Sequence, residues 1–150
     1  MTTATTTKLE AVNVMMTSIG ETPVNTITAA TTTDVAIAIT ILDNVSREVQ
    51  SVGWHFNIDQ DYQLIPNSSN QIELPSNCLR IDTSGASANS DYVERARKLW
   101  DRKKHTYTLT DAIVYVNITW FLDFTEIPEA AKRYITVRAA RLFQDRMLAS

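Results

Sequence analysis

Two groups of carboxylates come closest to a reactive pattern. Asp59 and Asp61 are two residues apart, which puts both on one face if the chain there is a strand. Asp123, Glu126 and Glu129 gather before and into a C-terminal helical pattern. A glycosidase needs two carboxyl groups at a controlled separation, one of them kept protonated by its surroundings. A polysaccharide-cleaving enzyme is therefore one alternative reading. The same residues equally suit a sheet edge blunted by charge and acids at the positive end of a helix. His55, His105 and the single cysteine, Cys78, follow no zinc-ligand spacing. No GxSxG motif is present, and three glycines, Gly20, Gly53 and Gly85, cannot build a phosphate-cradling loop. No catalytic residue, metal or cofactor is expected.

Cations offer a second kind of chemistry. The run "RKLWDRKKH" sets Trp100 beside Arg102, Lys103 and Lys104. Basic residues around an aromatic suit nucleic acid, a second alternative, but they also suit a solvated hairpin tip or a surface that docks an acidic partner. Arg133, Arg138, Arg141 and Arg146 lie on the C-terminal helical pattern, where Arg138 and Arg141 are placed to meet a neighbour's carboxylates. Trp54 and Phe56 flank His55 just after a glycine. In an extended strand the two aromatics would anchor one face and His55 would point to the other.

The elements that position these residues follow from periodicity. Of 150 residues 44% are hydrophobic, enough for a core in one ordinary domain. No apolar run reaches membrane-spanning length, so no membrane is expected. "MTTATTTKLE" lacks the basic and apolar segments of a secretory signal. Residues 1–90 hold three bases and nine acids, a balance of −6, while residues 91–150 hold eleven bases and eight acids, a balance of +3. Copies of such a chain can associate head to tail.

Residues 1–7, mostly threonine, read as a flexible arm. A first helix follows, with Thr7 and Glu10 at capping-box spacing, Leu9, Val12, Met16 and Ile19 in one stripe, and Gly20 as its stop. An irregular threonine-rich connector leads to a second helix capped by Thr33 or a neighbour. Its apolar line is Val35, Ala38, Leu42, Val45, Val49 and Val52, widened by Ile37, Ile39 and Ile41, and Gly53 ends it. From Trp54 to about Phe124 the pattern turns to period two. Strands are expected around Trp54–Phe56, Tyr62–Leu64, Ile72–Leu74, "CLRID", "YVERARKLW", "TYTL" and "AIVYVNITWF". The last helix begins near Pro128, with a line through Ile127, Ala131, Tyr134 or Ile135, Arg138 and Leu142. The fold class is α+β: a helical bundle of about three helices (8–53 plus 126–150) with a small antiparallel β module inserted at 54–125.

The order of these segments carries a resemblance. "LEAVNVMMTSIGETPVNTI", "ILDNVSREVQSVGWHFN", "IELPSNCLRID", "LWDRKKHTYTL" and "FTEIPEAAKRYITVRAARLFQDRM" follow one another over residues 8–147. This series resembles the tail tubular protein A family, the tail adaptor or gatekeeper of short-tailed podovirus bacteriophages. The resemblance implies a structural, non-enzymatic virion protein assembled in the host bacterial cytoplasm. It implies a ring of twelve copies between the portal protein and the nozzle, tail tubular protein B. Tail fibres would sit on its flank, and DNA would cross its lumen without sequence-specific binding. Members of that family continue beyond the last helix, so contacts made by that extension are not carried over to this chain. The residues expected at subunit or partner interfaces are Trp54, Phe56, Trp100, Arg102, Lys103, Lys104, Arg138 and Arg141.

Overall fold

A computed structural model describes residues 5–28 and 32–149. The first four residues of the expected arm, residues 29–31 of the connector, and Ser150 lie outside the described residues. The fold is α+β, with three helices and five short antiparallel strands among the described residues. The chain divides into two compact units. One comprises residues 1–49 and 122–150; the other comprises residues 50–121.

The first unit holds α1 (Lys8–Ser18), most of α2 (Thr33–Ser51) and α3 (Glu129–Leu148). The Thr7 hydroxyl accepts from the Glu10 amide at 3.0 Å, which satisfies one open donor at the start of α1. At the other end Gly20 has φ +82°. The Gly20 amide donates to Thr17 O and the Glu21 amide to Met16 O, the pair of bonds that closes a helix around a left-handed residue. Thr32 caps α2, its hydroxyl accepting from the Val35 amide at 3.2 Å. Before α3, Asp123 and Glu126 form a reciprocal capping box around a short 3₁₀ turn, Phe124–Glu126.

Each helix buries one stripe: Ala11, Val12, Met15 and Met16 on α1; Val35, Ala38, Leu42, Val45 and Val49 on α2; Ile135, Ala139 and Phe143 on α3. Helices α1 and α3 pack together. Fully burying side chains of this size stabilises by about 1.5–3 kcal/mol each. Val52, expected on the α2 stripe, is 60% exposed. The expected α3 line holds at Ile127 and Ile135 and departs from the core at Tyr134 and Leu142. Tyr134 and Leu142 face solvent, and Lys132, Ile135, Thr136, Ala139 and Phe143 form the buried side. The hydroxyl and amide of Thr6 both donate to the Glu129 carboxylate at 2.6 Å. These two bonds hold the Glu129 pKa below the ordinary carboxylate value.

The second unit holds β1 (Ile58–Leu64), β2 (Cys78–Thr83), β3 (Tyr92–Arg95), β4 (Lys98–Asp101) and β5 (Val114–Trp120). One sheet has the order β1-β5-β2, and β3 pairs with β4 in a second. Leu64, Ile72, Leu74, Cys78, Ile81, Leu99, Leu109, Val114, Val116 and Ile118 form its core. Burial pushes the Cys78 thiol pKa up. Three strand expectations are corrected. The segment Trp54–Phe56 is not a strand, because β1 starts at Ile58. Segments 72–74 and 106–109 supply only single bridges, Glu73 to Lys98 and Thr106 to Asp101. "YVERARKLW" is not one strand but a hairpin, folded at Ala96 and Arg97 with φ +53° and +62°.

Candidate functional site

Asn57 organises the region after α2 where Trp54 and Phe56 were expected to anchor a strand. Trp54 is 43% exposed and Phe56 half-buried, its ring edge-on to His55 at 5.9 Å. His55 is exposed in a turn rather than projecting from a strand. Asn57 is 1% exposed. Its side-chain oxygen accepts from the Trp54 amide at 2.7 Å. Its Nδ2 donates to Gln50 O at 2.8 Å and to Trp120 O at 2.9 Å. Asn57 thus gives the Gln50 carbonyl at the end of α2 a donor beside the Gly53 amide at 3.1 Å, and gives a donor to the carbonyl at the end of β5. Gly53, with φ +85°, lets the chain leave the helix beside Arg80 and Thr119.

The carboxylates that suggested hydrolysis hold structural bonds. Asp59 accepts from Trp120 Nε1 at 2.8 Å. Asp61, with φ +54° at a bulge in β1, accepts from the Ser84 hydroxyl at 2.7 Å, while its amide donates to Asn117 Oδ1. Asp123 and Glu126 cap the 3₁₀ turn, and Glu129 takes Thr6. Among the described residues no group of three or more His, Cys, Asp or Glu side chains converges as a metal site. His105 closes an exposed turn, and Cys78 is buried.

The basic run forms a layered surface on the β3–β4 hairpin. Trp100 is half-buried. Its ring meets Tyr107 edge-on at 4.7 Å, and the Arg95 guanidinium lies over it at 4.4 Å. Lys98 lies over Tyr107 at 5.5 Å. Such stacking holds the cations in place while leaving their charge outward. Asp101 is buried and shapes the next turn, its Oδ1 accepting from the Lys103 and Lys104 amides at 2.9 and 3.1 Å. Lys103 and Lys104 are therefore presented on an ordered tip, with both side chains exposed. Arg102 pairs with Asp91 at 3.4 Å. Arg97 stays exposed but folds back on its own unit, its guanidinium donating to Cys78 O at 3.0 Å and Pro75 O at 2.6 Å. These bonds, with Glu94 at 2.8 Å, hold a left-handed conformation that no glycine or asparagine supplies.

The second surface is the outward side of α3. Tyr134, Val137, Leu142 and Leu148 are 53%, 50%, 45% and 57% exposed. Arg138 pairs with Glu48 of α2 and donates to the Tyr134 hydroxyl at 3.3 Å. The Tyr134 hydroxyl and the Glu48 carboxylate raise its pKa further above the ordinary arginine value. Tyr134, Val137, Arg138 and Arg141 line a depression of about 460 Å³. Exposed aliphatic, tyrosine and arginine side chains together have the composition of protein–protein contacts rather than of solvated helix faces. Sequence reasoning located Arg138 and Arg141 but not the neighbouring Tyr134 and Val137, whose three-residue spacing was the available signal. It also passed over Arg95 and Tyr107, which flank Trp100 on the hairpin.

A model of a family described as tail tubular protein matches residues 9–150. Nothing among curated proteins matches the chain.

Proposed function

Since the chain belongs to the tail tubular protein family and is a structural component of a phage tail, we propose that it is the adaptor that joins the portal vertex to the tail nozzle. Copies form a closed ring, twelve in the reading adopted here, and DNA crosses the lumen during retention and ejection. The single observation that carries this reading is the family match over nearly the whole chain. Two features support it. The acids that could have served hydrolysis are committed to caps, turns and sheet contacts. The two surfaces described above offer cations and apolar groups on ordered supports, which suits contact with other proteins.

In this reading Trp100, Arg102, Lys103 and Lys104 on the hairpin, together with Trp54 and Phe56 beside the Asn57 turn, face the nozzle or fibre proteins. Arg138 and Arg141 lie at a contact between adaptor subunits. Ring contacts of this kind are heterologous, one patch of each copy meeting a different patch of the next. No helix among the described residues is long and apolar enough to cross a membrane.

Mass measurement of the purified chain, alone and mixed with portal protein, tests the proposal. A discrete ring that binds portal is the expected result. A strict monomer under both conditions overturns it.

A further inference from the structure

Within the helical unit, charge is divided between its helices. Residues 8–51 carry five acids (Glu10, Glu21, Asp34, Asp43, Glu48) against Lys8 and Arg47, a balance of −3. Residues 129–148 carry Glu129 and Asp145 against Lys132, Arg133, Arg138, Arg141 and Arg146, a balance of +3. Inside one chain only a little of this attraction is used. Lys8 meets Asp43 at 3.0 Å, and Arg138 meets Glu48. Among the described residues Arg133, Arg141 and Arg146 form no ion pair, nor do Glu10, Glu21 and Asp34.

Shape follows the same division. Tyr134, Val137 and Arg141 are three and four residues apart, so they form one ridge along α3, pointing away from the buried Ile135, Ala139 and Phe143. Elsewhere on the same unit, Thr33, Ala36, Ile37 and Thr40 of α2 line a shallow depression of about 270 Å³, closed at one side by Arg146. Small side chains there let another helix approach closely, and Asp34 stands next to Thr33 on the same helix turn. Ridge and groove are different patches of one chain. Two copies can therefore engage ridge to groove, and each still offers a free patch to a further copy.

We infer that the subunit contact of the adaptor is made by the α3 ridge of one copy, centred on Val137, seated in the α2 groove of the next, lined by Ala36, Ile37 and Thr40. Arg141 of the first copy then comes near Asp34 of the second. The inference rests on the proposed adaptor function and names the partner of its α3 surface, a second copy of this chain.

Cysteine cross-linking in the full chain, assembled with portal protein, tests it. Val137→Cys and Thr40→Cys together are expected to give a ladder of oxidised multimers, while either substitution alone gives none. Val137→Asp, at a half-exposed position, is expected to weaken assembly about tenfold or more while circular dichroism is unchanged. Cross-linking by Val137→Cys alone shows a two-fold contact and overturns the inference. Rings that form without any cross-link, and that survive Val137→Asp, overturn it too while leaving the adaptor reading intact. A wild-type chain that never assembles removes both.

Discussion

Arginine is used in opposite ways in the two units. In residues 50–121 Arg97 fastens the hairpin to the carbonyls of Pro75 and Cys78. Arg95 lies over Trp100, and Arg102 is paired with Asp91. In the helical unit Arg133, Arg141 and Arg146 form no ion pair among the described residues, and exposed Tyr134, Val137 and Leu142 stand among them. Arginines bonded within their own unit help to specify its shape. Arginines left without ion pairs beside apolar groups have the composition of a contact surface. Surface ion pairs contribute little to stability, about 0–1 kcal/mol each, so the open arginines matter for the choice of partner more than for folding.

The contrast can be broken most forcefully on α3. Phe143 is fully buried and its neighbour Leu142 is 45% exposed. Phe143→Ala is expected to cost about 3–5 kcal/mol in urea unfolding, and Leu142→Ala no more than about 0.5 kcal/mol. Equal losses would mean that the outward side of α3 is part of the core. A smaller effect is expected at the turn after α2. Asn57→Ala removes a donor from each of the Gln50 and Trp120 carbonyls and an acceptor from the Trp54 amide, a loss of about 1–3 kcal/mol. Asn57→Asp fits the same space but lacks both donors, so it should be at least as damaging. Full stability of the aspartate variant would show that the carbonyls find other partners.

The smallest effect is a titration. Burial, and then the hydrogen bond from its hydroxyl to Asp111, push the Tyr92 pKa up to about 12 from the ordinary tyrosine value of 10.0. A raised folded pKa favours the protonated form. The contribution is therefore complete below pH 10 and fades as pH rises from 10 towards 12. Ultraviolet absorbance should show one tyrosine ionising later than the others, and Asp111→Asn should bring that step to lower pH. An unchanged step would assign it to a different tyrosine.

Much of this arrangement is readable in the residues, and the exceptions share a cause. Three helical patterns, the stops at Gly20 and Gly53 and the β-rich middle segment depend on local spacing, which sequence carries directly. The hairpin at Ala96–Arg97 does not, because its left-handed residues are held by carbonyls about twenty positions away. Asn57 looked like an ordinary turn residue, since one of its essential partners, Trp120, is 63 positions distant. The α3 line departs from the core at Tyr134 and Leu142 because apolar residues occur on both sides of that helix, so periodicity alone leaves Tyr134 and Ile135 competing for the core. The α3 arginines were legible as surface cations. That Arg138 finds Glu48 while Arg141 has no ion pair among the described residues required coordinates.

The strand order β1-β5-β2 has a consequence for synthesis on the ribosome. Both β1 and β2 pair only with β5, the last strand to emerge, so each waits with open edges until Val114–Trp120 arrives. The same delay recurs one level out, because α1 packs on α3, the final helix translated. The 50–121 unit can close before the helices that bracket it in sequence. Completion thus runs from the middle of the chain outward, and its last step is also the one that creates the arginine-bearing ridge. A nascent chain therefore lacks that ridge until its last helix has been translated.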